Sequence, residues 1–170
     1  MNVYQLNKLS DSEQIKLIKE DSRILIFIEN PSEKVQLEAV KQNGDYIRFI
    51  KNPSEELQLI AVNQDGWSIE YIKNPTEKVQ MEALKQDCRS IQYIKNPSED
   101  VQLAAVKQDG FCIQYIKNPS EKVQLAAVKQ NGWSIQYIKN PSEKVLQTLL
   151  NSDKFLLEPN PQSMRFITDE

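Results

Sequence analysis

The stretch Asn118–Lys139, NPSEKVQLAAVKQNGWSIQYIK, is one copy of a unit that the chain repeats with little change. Pro31, Pro53, Pro75, Pro97, Pro119 and Pro141 recur every 22 residues inside the phrase Asn-Pro-(Ser/Thr)-Glu, and Gly44, Gly66, Gly110 and Gly132 share one slot of the unit. Self-similarity at such a period marks a solenoid, in which each unit buries its apolar face against its neighbours. In the quoted copy Asn118 is a favoured helix N-cap, Pro119 suits the first helical position, and Glu121 at the third reaches back to the cap amide. The spacing predicts a first helix from this cap to Gln130, closed by Asn131 and Gly132 in the left-handed conformation. A short second helix over Trp133–Lys139 stops before the next Asn-Pro, since proline pushes the residue before it out of the helical region.

On a helical wheel Val123, Leu125, Ala127 and Val128 span a broad apolar arc. Gln124 falls within that arc and recurs as Gln36, Gln58, Gln80 and Gln102. A buried amide without a partner costs roughly 1–3 kcal/mol, so this column is expected to bond the backbone of an adjacent turn. On the second helix Ile135, Ile138 and Ser134 face inward. The slot of Trp133 holds Asp45, Trp67, Arg89 and Phe111 in the other units, and the slot of Gln136 holds Arg48, Glu70, Gln92 and Gln114. Stacking geometry keeps a scaffold slot constant, whereas a slot this varied has a local use. The candidate partner-binding residues are therefore Asp45, Arg48, Trp67, Glu70, Tyr71, Arg89, Tyr93, Phe111, Tyr115, Trp133 and Tyr137.

The sequence reads as a single all-α repeat domain, an α-solenoid over 1–170. Residues 1–29 form an N-terminal capping repeat, with Ile15, Ile18, Leu25, Phe27 and Ile28 at core slots and Ser10 and Glu13 as a capping box. Five full repeats occupy 30–139, and 140–170 is a C-terminal capping repeat and tail, in which Leu146 replaces the glutamine. Met164, Phe166 and Ile167 are available to pack the tail. Cys88 replaces the glycine of its unit and Cys112 lies two slots further along the next, so a disulfide is not expected between them. Two small buried thiols in a reducing compartment are. Without an apolar stretch of membrane-spanning length or a leader-like start, the chain is expected to be soluble and cytoplasmic.

The text VQLAAVKQNGWSIQYIK at Val123–Lys139 resembles a family of uncharacterised short bi-helical repeats of bacteria, phages and large viruses, whose hallmark is a Val-x-x-Ala-Val-Lys-Gln-Asn-Gly core. The resemblance covers residues 30–145, and the layout is also similar to leucine-rich-variant α-solenoids. It implies an interaction role without catalytic residues, and the phage members suggest an inhibitor of a host defence protein.

Three function classes can be weighed from the residues. Catalysis is not expected: the chain has no histidine, the commonest general base and metal ligand, and Glu33, Glu55, Glu77, Glu99, Glu121 and Glu143 sit in a capping slot. No cofactor or metal site is expected. Single-stranded nucleic acid is the alternative partner, with bases stacking along the second-helix aromatics beside Lys51, Lys73, Lys95, Lys117 and Lys139. Each of those lysines, however, lies four residues before the next cap glutamate, where a corner salt bridge would account for it. The net charge of −3 also argues against a general nucleic-acid binder. A protein partner is the preferred reading, because tryptophan, tyrosine and arginine are the usual anchors of an interface. The remaining alternative is that the variable slots are plain solvent-facing positions.

Overall fold

The computed structural model describes residues 2–151, which hold eight α-helices, six 3-10 helices and no strand. The α-helices are α1 Val3–Leu6, α2 Asp11–Glu20, α3 Glu33–Gln42, α4 Glu55–Gln64, α5 Glu77–Gln86, α6 Glu99–Gln108, α7 Glu121–Gln130 and α8 Glu143–Leu150. The 3-10 helices are η1 Ser22–Phe27, η2 Gly44–Phe49, η3 Gly66–Tyr71, η4 Cys88–Tyr93, η5 Gly110–Tyr115 and η6 Gly132–Tyr137. They pack in consecutive pairs, one α-helix with one 3-10 helix per repeat, and the fold is an all-α solenoid. The chain divides into two compact units, 1–87 and 88–170. In the first, α2 to α5 stack in order beside η1 to η3; in the second, α6 to α8 stack beside η4 to η6. The tail residues Met164, Phe166 and Ile167 lie outside the described residues.

The α-helix of each full repeat, α3 to α7, buries one stripe completely. Val35, Ala39 and Val40 in α3 recur as Leu57, Ala61 and Val62, as Val79, Ala83 and Leu84, as Val101, Ala105 and Val106, and as Val123, Ala127 and Val128, all at 0–2% exposure. The 3-10 helices contribute Ile47, Ile69, Ile91, Ile113 and Ile135 to the same layer. A 3-10 helix has three residues per turn, so its side chains eclipse at every third position. In η6 this puts Gly132 and Ile135 on one line and Trp133 and Gln136 on another, which is why the two variable slots share an edge.

The helix starts differ from the expectation. Ser32, Ser54, Thr76, Ser98, Ser120 and Ser142 are the N-caps, each α-helix begins at the glutamate, and the Asn-Pro pair lies outside it. Two bonds place the cap there. At every cap but Ser32 the hydroxyl accepts from its own helix, as in Val101 N–H to Ser98 Oγ at 3.3 Å, and the Pro carbonyl accepts from the recurring glutamine, as in Gln124 Nε2 to Pro119 O at 3.0 Å. The same glutamine bond recurs in all five full repeats, so this column is the backbone-bonding ladder that its apolar setting demands. The Ser10–Glu13 capping box forms as expected, and Asn2 with Gln5 adds a second one on α1.

Displaced to the first helical position, the glutamate serves the next repeat. Thr76 Oγ1 donates to Glu55 Oε1 and Ser120 Oγ donates to Glu99 Oε1, both at 2.6 Å, and Lys122 Nζ stands 3.0 Å from Glu99 Oε2. The Ser120 hydroxyl first, and the Lys122 ammonium second, hold the Glu99 carboxyl below the usual glutamate range. The folded state therefore binds this proton less readily than the unfolded chain. The resulting stabilisation is present above the ordinary glutamate pKa and is lost as pH falls through the lowered value. Urea denaturation of Glu99→Gln at neutral and acid pH should show a shallower loss of stability on acidification than the parent; equal slopes would contradict this.

The glycine slot also departs from expectation. No glycine among the described residues has positive φ; the residue before it is extended instead, Asn131 at φ −149° and Asp109 at φ −147°. At Gly44 and Gly110 glycine is needed because the next repeat comes too close. A Cβ on Gly110 would stand 2.5 Å from the Ala127 carbonyl oxygen, and one on Gly44 would stand 3.0 Å from that of Ala61. The Gly110 amide donates to Gln130 Oε1 at 2.6 Å across the same boundary.

Candidate binding surface

The first unit gathers several candidate residues. Arg48 is exposed, with its guanidinium carbon 4.9 Å from the Phe49 ring centroid and 5.9 Å from that of Tyr71. Asp45 and Glu70 are exposed beside them. Trp67 is 36% exposed, but its indole N–H donates to Asp87 Oδ2 at 2.9 Å, so part of the ring's role is to tie one repeat to the next. In the second unit Arg89 is exposed, while Tyr93, Phe111, Tyr115 and Trp133 are half-buried. Phe111 meets Tyr137 edge to face, with centroids 5.9 Å apart, a contact worth about 0.5–1.5 kcal/mol beyond burial. The aromatic residues thus divide between packing and display, and the charged ones are exposed.

Sequence reasoning missed two residues. Phe27, placed among the core of the capping repeat, is 51% exposed, and Phe49 is 49% exposed. Both occupy the slot of Tyr71, Tyr93, Tyr115 and Tyr137, so the 22-residue register was the signal that could have found them. Ile15, also assigned to that core, is half-buried, whereas Ile18, Leu25 and Ile28 are buried as expected.

The corner lysines do not form the expected salt bridges. Lys51, Lys73, Lys95, Lys117 and Lys139 are exposed and make no ion pair or side-chain hydrogen bond among the described residues. A pair four residues apart meets only on a continuous helix, and here an extended Asn-Pro corner intervenes. The glutamates turn instead to Lys78, Lys122 and Lys144 of the following repeat. Between successive corners lie open grooves. One of about 450 Å³ is bordered by Phe49, Lys51 and Glu29 in the first unit. Two of about 730 Å³ and 470 Å³ lie in the second.

Cys88 and Cys112 form a disulfide, contrary to expectation. The glycine slot of one repeat faces the serine slot of the next, as η4 packs on η5, and the small residues at both slots let the Cα atoms approach to 6.2 Å. Such a bond persists where thiols are oxidised, so cysteine usage no longer argues for a reducing compartment. Asp109 is close by, with one ligand atom from each of the three residues lying within 4.8 Å of the others. Metal binding by cysteine requires thiolates, and both sulfurs are engaged in the bond. No helix among the described residues is long and apolar enough to cross a membrane.

Comparison with protein-family models, curated proteins and solved structures gives no match to this chain.

Proposed function

We propose that the protein is a non-catalytic scaffold that binds another protein through its 3-10 helices. The supporting observation is the run of Ile26, Phe27, Phe49, Trp67 and Tyr71 in the first unit, each 36–51% exposed, with the Arg48 guanidinium among the rings. Exposed apolar clusters of this kind mark interaction sites, and arginine, tryptophan and tyrosine are the usual hot spots. The α-helix stack holds these side chains in fixed register, which lowers the ordering cost on binding. The unpaired corner lysines favour a second reading, single-stranded nucleic acid.

Affinity capture from the source cells, followed by titration of the captured partner against Phe49→Ala and Arg48→Ala, tests the proposal. At least one substitution should weaken binding by about 2 kcal/mol, roughly thirty-fold, with the helical circular dichroism unchanged. Captured nucleic acid whose affinity falls steeply with salt would replace this reading with the second. Phe49 is the cleaner probe than Trp67, whose bond to Asp87 makes its truncation a structural change as well.

A further inference from the structure

We propose that the second unit holds an extended acidic peptide along its Lys-Asn-Pro corners, an inference that rests on the protein-binding reading and names the chemistry of the partner. The two grooves of this unit share Ile116, Lys117 and Asn118, so they adjoin at that corner, and the pair, called the channel below, spans Lys95 to Asn140. Lys95, Lys117 and Lys139 border it with their ammonium groups uncommitted, and no carboxylate lines it. On a chain of net charge −3, this local basic strip sets the direction from which an acidic partner approaches.

The neutral groups select a polypeptide over a polynucleotide. Asn96, Asn118 and Asn140 are exposed, and their side-chain amides make no hydrogen bond among the described residues. Each amide offers a donor and an acceptor, matching the C=O and N–H of a peptide group. Gln92 and Gln114 donate their amide N–H to the Arg89 and Phe111 carbonyls, both at 3.1 Å, which leaves Oε1 at the channel as an acceptor. A phosphodiester backbone carries acceptors alone, so only nucleobase N–H groups could meet those oxygens. The tyrosine walls are poor stacking platforms, because Tyr93 and Tyr115 are half-buried and Tyr137 is engaged by Phe111. Asn96 has φ 52° immediately before Pro97, a left-handed conformation that asparagine tolerates better than most residues.

Fluorescence anisotropy on the full chain tests this with a labelled dodecapeptide of alternating glutamate and serine, its glutamine counterpart, and a dodecathymidylate. The acidic peptide should bind at least ten-fold tighter than the other two. Combining K95Q, K117Q and K139Q should cost at least ten-fold, N118A a further few-fold, and K122Q, whose lysine pairs with Glu99 on the α-helix stack, nothing. Because the three corner lysines are exposed and unpaired, circular dichroism should report an unchanged fold. Equal binding of the glutamine peptide, tighter binding of the oligonucleotide, no binding, or indifference to the triple substitution would each overturn the inference. A parallel display of random dodecapeptides separates the two readings. Enriched peptides lacking acids, lost on Phe49→Ala but not on the triple substitution, would leave the protein-binding proposal standing and this one refuted. Enrichment of no peptide would remove both.

Discussion

Gly110→Ala should destabilise the protein by about 2–3 kcal/mol, the upper part of the range for overpacking a site that cannot relax. The added Cβ would meet the Ala127 carbonyl oxygen at 2.5 Å, inside any real contact distance. That oxygen belongs to the backbone of α7 and cannot rotate away. Relief requires η5 and α7 to separate, which stretches the 2.6 Å bond from the Gly110 amide to Gln130 and loosens the packing of Val123 and Val128 beneath. Gly44→Ala should cost less, since its Cβ would stand 3.0 Å from the Ala61 oxygen. Urea denaturation of both variants checks the order. Gly110→Asn supplies the control, because a left-handed site would favour asparagine over alanine while a steric site makes asparagine no better. A Gly110→Ala variant within about 0.5 kcal/mol of the parent, below any overpacking cost, would show that adjacent repeats are free to move apart.

Cys88→Gly should lower stability by about 3 kcal/mol when both proteins are compared without reductant, the chain-entropy value for a cross-link closing a loop of this size; the bonded cysteines are 24 residues apart in sequence. Judged by the repeat pattern alone, this substitution restores the commonest residue of its slot and is expected to be neutral or stabilising. The disulfide reverses the sign. Reductant should lower the parent's thermal midpoint and leave that of the Cys88→Gly, Cys112→Ser double variant unchanged. Alkylation of the unfolded, unreduced parent should label neither cysteine. Two labelled cysteines, or a parent indifferent to reductant, would defeat the assignment.

The corners show how far local pattern carries and where it stops. Asn-Pro-Ser-Glu contains three residues able to begin a helix, and propensity alone prefers the asparagine with proline just inside. The choice falls to serine because its hydroxyl serves two repeats at once, accepting from its own helix and donating to the preceding glutamate, while the glutamine ladder ties down the Pro carbonyl. The lysine four residues before that glutamate then loses the pairing its spacing suggests. The bond from the serine hydroxyl to the preceding glutamate joins residues 21 positions apart in the chain, and no window of local sequence contains both partners.

By itself the sequence determined the repeat length, the all-α class, the buried stripe of each α-helix and the glutamine ladder, because each follows from a period or from a polar group that must be paired within its own repeat. The tertiary structure decided which residue caps the helix, why the glycines are glycine, that Cys88 and Cys112 are bonded, and which lysines and phenylalanines are left facing outward. Each of these depends on how closely one repeat approaches the next. That distance is set by the sizes of side chains on two different repeats meeting across a boundary, a quantity the spacing of residues along one chain does not contain.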